Sequence, residues 1–253
     1  MPAADIAAYV AEGNVDMGIT GQDVVEETAQ PVETLLPLGF GKCALAVQAP
    51  VKDGVTDVRT LAGKRIVTSF PVLARKFFAQ YDGTAGAAAA AGADAPPPAP
   101  GATRIKFVSG SVEAACGLGL ADAVVDLVET GTTMRAAGLE IVAEVLKTEA
   151  VFIANPRCGH PAMVERLKKR IEGHLTATRY QMVQYNVHRD NMSKVAEITP
   201  GKRAPTVSPL DTDGWCAVSA LVLKKLVSEK MDALQAAGAT DILVFDIANS
   251  RGF

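Results

Sequence analysis

The alternation of apolar and polar positions predicts helices and strands in turn along most of the chain. "AADIAAYVAEGNVDMGIT" reads as a helix, a stop at Gly13 and a short strand from Val15 to Ile19. Thr20-Gly21-Gln22-Asp23 is a turn that opens a second helix. "KCALAVQA", from Lys42 to Ala49, is strand-like. "RIVTSFPVLARKFFAQY" gives a short strand, a turn at Ser69-Phe70-Pro71 and an amphipathic helix, with Pro71 suited to the first helical turn. "RIKFV" is a strand, and "SGSVEAACGLGL" a loop entering a helix. "ADAVVDLV" is a near-continuous apolar run, as expected of a strand buried on both faces of a parallel sheet. "LEIVAEVLKTEAVFIANP" supplies more strand. "HPAMVERLKKRIEGHLTATRY" is a long helix whose Met163, Leu167, Ile171 and Leu175 form one stripe predicted to be buried.

The rhythm then changes. "YQMVQYNV", "RDNMSKVAEI", "APTVSPL", "WCAVSALVL", "KLVSEKMDALQAAGA" and "DILVFDI" run strand, helix, strand, strand, helix, strand. This βαββαβ order is the ferredoxin-like pattern, and it places a domain boundary near Thr178. Between Asp82 and Thr103 the chain is a low-complexity Ala, Gly and Pro segment, read as a disordered surface insertion. The chain opens on a helix where an alternating α/β protein usually has a strand, so a front segment is expected to be missing.

A net charge of -3 and the lack of a basic stripe with interleaved aromatics argue against a nucleic-acid-coating surface. No apolar run is long enough to cross a bilayer, and the start lacks the basic region of a signal peptide. Cys43, Cys116, Cys158 and Cys216 are scattered without a CxxC pair and are expected as free thiols in a reducing compartment. His160, His174 and His188 have no metal-ligand spacing.

The chemistry concentrates in "VVDLVETGTTMRAAGL". Asp126 and Glu129 flank the end of an apolar strand, and Thr130, Gly131, Thr132 and Thr133 follow. Ligands of open α/β sheets bind beyond the carboxyl ends of strands. Gly131 lets backbone approach a ligand, and hydroxyls with the N–H groups of a helix start can hold a phosphate. The two acids suit ribose hydroxyls or a magnesium ion shared with the ligand. The alternative is a plain strand end with a capping threonine. Ser109, Gly110, Ser111 and Glu113 also follow a strand, as a capping arrangement or a second anion site. "GLGLAD" imitates half of a dinucleotide fingerprint but precedes its strand, which excludes that reading.

Five stretches together resemble the ATP phosphoribosyltransferase family of histidine biosynthesis: "DIAAYVAEGNVDMGITGQDVVEE", "GKRIVTSFPVLARKFF", "FVSGSVEAACGLGLADAVVDLVETGTTMRAAGL", "ITPGKRAPTVSPL" and "GATDILVFDIANSR". The resemblance implies a bilobed, periplasmic-binding-protein-like (type II) catalytic region. One lobe would hold residues 1–47 and 147–178, and the other 48–146. Residues 179–253 would form a ferredoxin-like (ACT/PII-like) histidine-sensing domain. The implied reaction joins ATP to 5-phosphoribosyl 1-pyrophosphate with Mg2+, under feedback by L-histidine and with AMP as a further candidate inhibitor. The implied assembly is a homo-oligomer, dimer to hexamer, in the cytoplasm, or in a plastid for a plant or alga, with no nucleic-acid or membrane partner.

By the same resemblance Thr130, Gly131, Thr132 and Thr133 hold the 5-phosphate of phosphoribosyl pyrophosphate. Asp126 and Glu129 hold ribose hydroxyls or the metal. Arg75 and the stretch from Ser109 to Glu113 are candidates for the nucleotide or pyrophosphate side. Asn186, Thr206 and Asp241 are candidates for histidine. The family's basic amino-terminal turn has no counterpart in this chain. A fragment of the enzyme and a truncated paralogue acting as a histidine-binding regulatory subunit are therefore the alternatives.

Overall fold

The computed structural model describes residues 1–83 and 101–251 and divides into two compact units, Met1–Pro161 and Ala162–Phe253. In the first unit, α1 (Ala3–Glu12) ends at Gly13, whose left-handed φ of 80° suits a residue without Cβ. Ala7 and Val10 of α1 pack with Val151 and Ile153. The chain continues through β1 (Met17–Gly21), α2 (Gln22–Thr28), β2 (Glu33–Pro37) and β3 (Cys43–Pro50). β4 (Arg65–Thr68) leads into α3 (Pro71–Phe78), with Pro71 in the first helical turn as expected. Then follow β5 (Arg104–Phe107), α4 (Ala114–Gly117), β6 (Ala123–Val128), α5 (Thr132–Ala136), β7 (Leu139–Thr148) and β8 (Ala150–Ala154).

These strands make two sheets, one ordered β1-β8-β2 and one ordered β5-β4-β6-β3-β7. They are the cores of the two lobes of the bilobed fold. β3 belongs wholly to the larger sheet, so the chain has entered it by Cys43, ahead of the crossing expected near Gln48. Cys43 lies opposite Thr148, so the strand that enters the larger lobe and the strand that leaves it run side by side.

The apolar run of β6 has the expected double burial. Ala123 and Val125 face one core, with Leu45, Val47 and the α3 residues Leu73, Ala74 and Phe78. Val124 faces the other, with Val67, Val112, Ala115 and Cys116. Successive side chains of a strand point to opposite faces, so burial on both removes the polar alternation. The sheet itself departs from the expected parallel one. β4 pairs parallel with β5 and β6, but β3 runs antiparallel to both β6 and β7.

Most of the expected insertion over 82–103 lies outside the described residues. Its base is closed by Asp82, whose carboxylate accepts from the Thr103 amide at 2.8 Å and the Thr103 hydroxyl at 2.7 Å.

The second unit begins on α6 (Pro161–Arg179). The stripe expected to be buried is not the one that is covered. Met163 is 47% exposed, and Leu167, Ile171 and Leu175 are only half-buried. The covered line runs through Val164, Gly173 and Ala177, and a Cβ on Gly173 would collide with the Ser250 carbonyl. Gly173 leaves room there for both the Ser250 carbonyl and the Arg251 side chain.

Beyond α6 come β9 (Tyr180–His188), α7 (Met192–Ile198), β10 (Thr206–Pro209), β11 (Trp215–Leu223), α8 (Val227–Ala236) and β12 (Thr240–Asp246). The sheet order is β10-β11-β9-β12, all antiparallel, which is the ferredoxin-like arrangement. Val183, Tyr185 and Val187 of β9 and Val218 and Val222 of β11 pack on Val195, Val227 and Leu234 from the helical side. The Tyr185 hydroxyl is satisfied inside this core by Thr199, at 2.8 Å.

Candidate active site in the first unit and effector pocket in the second

β4, β5 and β6 run parallel, so the loops that follow them leave one edge of the larger sheet. Those loops hold Ser69 and Phe70, Ser109 to Glu113, and Glu129 to Gly131. Cys43 at the start of β3 and Thr148 at the end of β7 reach the same edge. A cavity of about 440 Å³ opens there, lined by residues that include Gln22, Lys42, Cys43, Glu129, Lys147 and Thr148.

Asp126 ends the buried part of β6. Its Oδ1 accepts from the Leu127 amide at 2.9 Å, and its own carbonyl accepts from the buried Gln48 side chain at 3.1 Å. Burial pushes the Asp126 carboxyl up, the Leu127 amide works against this, and the negative charge of Glu113 adds to the rise. Glu113, at the start of α4, is thus near enough for its charge to act on Asp126 of β6.

The loop after β6 has a defined shape. Gly131 is buried with φ 71°, a conformation that favours glycine. The Thr130 and Thr132 hydroxyls lie 3.0 Å apart. The Arg135 guanidinium donates to the Thr130 carbonyl at 2.9 Å, and its amide to the Gly131 carbonyl at 3.0 Å. Arg135 braces the loop from one helical turn away, a role the sequence reading missed. Thr132 and Thr133 stay exposed. The helix α5 is only five residues long, so the loop's own N–H groups and hydroxyls, more than a helix dipole, are what it offers an anion.

The capping reading of the preceding loop is corrected. α4 has Glu113 at its N-cap and no side-chain cap bond. Ser109, Gly110 and Ser111 are exposed, and Ser111 holds a positive φ of 49°. Such backbone is costly for a residue with a Cβ and collects at functional sites. Arg75, on α3, acts on Glu27: its charge lowers the pKa of that carboxyl.

Cys43 sits on the cavity wall. Its thiol is pushed up by burial and by the charges of Asp23 and Glu129, so it stays protonated. The rejected fingerprint "GLGLAD" also has a structural account. Arg65 donates to the Gly119 carbonyl at 2.9 Å and to Asp122 at 2.8 Å, pinning the turn ahead of β6.

In the second unit the structure brings two of the three histidine candidates together. The Asn186 amide donates to the Asp241 carboxylate at 3.0 Å, and Thr240 donates to the same oxygen at 3.2 Å. Asp241 has φ 50° within the bulge of β12. Thr206 lies elsewhere, across β11 from β9. It lines a cavity of about 510 Å³ with Met182, Lys202, Arg203, Ser219 and Leu221. Lys202 and Arg203 were not singled out in the sequence, because "GKRAP" reads as an ordinary polar loop.

Among the described residues no group of three or more acids, histidines or cysteines forms a metal cluster, and no helix is long and apolar enough to cross a membrane.

Two sheets, with an acid-flanked, hydroxyl-rich turn at the carboxyl edge of the larger one, define a bilobed α/β protein with a candidate anion-binding loop. The comparisons with known proteins narrow this class. Residues 2–173 match the family described as ATP phosphoribosyltransferase, and residues 177–249 match the HisG C-terminal domain. The ATP phosphoribosyltransferase of Yarrowia lipolytica is 50% identical over 251 residues, which are 99% of this chain and 81% of that one. That of Saccharomyces cerevisiae is 46% identical over 253 residues, with the same coverage. The ATP phosphoribosyl transferase (HisG:HisZ) complex from Thermotoga maritima aligns over 66% of this chain and 74% of its own, with TM-score 0.53 and 25% identity. This chain belongs to the ATP phosphoribosyltransferase family.

Proposed function

We propose that the chain transfers the phosphoribosyl group of 5-phosphoribosyl 1-pyrophosphate to ATP, giving 1-(5-phosphoribosyl)-ATP and pyrophosphate in the first step of histidine biosynthesis. The observation that carries this reading is the loop from Asp126 to Thr133, set at the carboxyl end of a central strand beside the cavity that Glu129 lines. A ring nitrogen of adenine forms the new bond to the anomeric carbon with its own lone pair, and pyrophosphate departs with the electrons of the carbon–oxygen bond. No side-chain nucleophile is needed, in keeping with a Cys43 thiol held protonated.

The protein's work is to position two polyanions. Thr130, Thr132, Thr133 and the backbone at Gly131 hold the 5-phosphate. Asp126 and Glu129 accept from the ribose hydroxyls. Lys42 and Lys147, on the cavity wall, offset negative charge on the pyrophosphate side. Asp126 and Glu129 would suit Mg2+ that arrives with the diphosphate, since magnesium is held by one or two carboxylates together with substrate oxygens. Bound there, the ion neutralises charge on the leaving group.

The second unit serves as a histidine sensor in this reading. Asn186 and Asp241 offer a donor and an acid at one position, and the cavity beside Thr206 offers Lys202 and Arg203 to a carboxylate. The test is magnesium-dependent formation of phosphoribosyl-ATP by the purified chain, followed by ultraviolet absorbance with and without histidine. Product formation suppressed by histidine is the expected result. A folded chain that forms no product would overturn the catalytic reading.

A further inference from the structure

Two carboxylates of α2 reach the larger lobe: Asp23 bonds Thr148 at the end of β7, and Glu27 bonds the start of α3. Glu27 lies at the end of α2, beside the three-stranded sheet. Its Oε1 accepts from the Val72 amide at 2.8 Å and its Oε2 from the Leu73 amide at 2.9 Å. These amides belong to α3, which follows β4 of the five-stranded sheet.

The bonds meet a local need that α3 cannot meet itself. The first N–H groups of a helix have no partner within it. Pro71 has none to offer, and Phe70 at the N-cap provides no side-chain acceptor. The first turn is therefore completed by a residue from another lobe. Helix α2 packs on α3 around this contact. The arrangement is maintained against a cost, because burial pushes the Glu27 carboxyl up while the two amides and the Arg75 charge hold it down.

We infer that Glu27 is a positioning residue that latches the two lobes in the arrangement able to bind both substrates. This rests on the reaction proposed above. The cavity draws its wall from both sides of the crossing: Gln22 opens α2 beside the small sheet, and Glu129 and Lys147 belong to the large one. A ligand that touches both lobes binds only the latched fraction of molecules. Loss of the latch divides the affinity for every such ligand by the same factor. Loss of a contact within one subsite changes one ligand alone.

The experiment compares E27A and E27Q with the parent chain. Glutamine keeps the size but turns an amide N–H₂ toward one of the two helix donors. Dissociation constants for ATP and for phosphoribosyl pyrophosphate are measured separately by calorimetry. Pulsed electron paramagnetic resonance reads the distance between labels on non-natural residues at the exposed positions Asn14 and Asp53, one in each lobe. The expected result is a rise of both constants by one shared factor, about tenfold for a lost pair of charge-assisted bonds. The ligand-free distance distribution should broaden with it. A change for one substrate only would place Glu27 in that subsite and overturn the latch. So would a lower melting temperature with unchanged constants and distances, the mark of a helix cap alone. If the parent chain binds neither substrate, the reaction reading fails. The ligand-free distances then decide the latch: broadening supports it, and no change overturns it.

Discussion

The Thr148 hydroxyl donates to the buried Asp23 carboxylate at 2.7 Å while accepting from the Asp23 amide at 3.0 Å. This reciprocal pair spans 125 residues of sequence and fixes α2 to the end of β7, beside the candidate cavity. Removing the hydroxyl leaves a buried carboxylate short of a donor. T148V should therefore cost about 1–3 kcal/mol in chemical denaturation, and T148S, which keeps the hydroxyl, should restore most of it.

Asp126 should trade stability for function. Its folded pKa is raised by burial and by Glu113, so its ionised form is disfavoured by folding. The sign follows: stability is greatest below the ordinary carboxylate range and falls as pH rises through the raised value. D126N removes this burden. The melting temperature at neutral pH should rise, while affinity for phosphoribosyl pyrophosphate should fall by about a hundredfold through the lost hydroxyl acceptors.

Gly131 should resist any side chain. With φ 71° an alanine there costs about 1–2 kcal/mol, and its Cβ would press on the Arg135 guanidinium, 2.7 Å away. The guanidinium can move, but it then releases the Thr130 carbonyl. G131A should remain folded, with a raised KM for phosphoribosyl pyrophosphate and a smaller effect on ATP.

The Arg65–Asp122 pair sets an acid response. Hydrogen bonds from Arg65 hold the Asp122 carboxyl down at about 2. The stability it contributes is present above the ordinary carboxylate value and lost as pH falls through about 2. R65A should lower the melting temperature slightly at pH 7, and the difference from the parent chain should vanish in acid. The pair is partly exposed, so added salt should also shrink the difference.

The paired amide and acid of the second unit give a test of the proposed histidine-sensing role. N186A removes one of the two donors to the Asp241 carboxylate and leaves the Thr240 hydroxyl. The histidine concentration for half-inhibition should rise by about tenfold.

Much of this architecture was legible in the sequence, for identifiable reasons. Pro71 starts its helix, Gly13 ends one, and the βαββαβ order of the second unit follows from local periodicity alone. The loop from Asp126 to Thr133 stood out as a candidate because acids and hydroxyls directly after an apolar strand suit a ligand as well as a cap. The direction of β3 against β6 was not, since an apolar strand reads the same in either orientation. The covered line of α6 was misread because backbone packs on Gly173, and glycine carries no hydrophobic signal. Glu27 and Arg135 were passed over for a related reason. Each does its work on backbone N–H or C=O groups, and every residue has those, so no spacing of side chains announces the partner.

The pairing of Cys43 with Thr148 sets how the larger lobe can move. The chain enters the larger sheet along β3 and leaves it along β7, so the two crossings between the lobes, just before Cys43 and just after Thr148, lie side by side as a two-ply strap. A strap bends readily across its flat and resists twisting about its length. The softest motion expected of the first unit is therefore a clamshell rotation about the line through Cys43 and Thr148. Both residues line the candidate cavity. A ligand bound in that cavity would sit at the hinge itself, where opening moves the walls least, and the largest travel would fall to the far ends of the lobes.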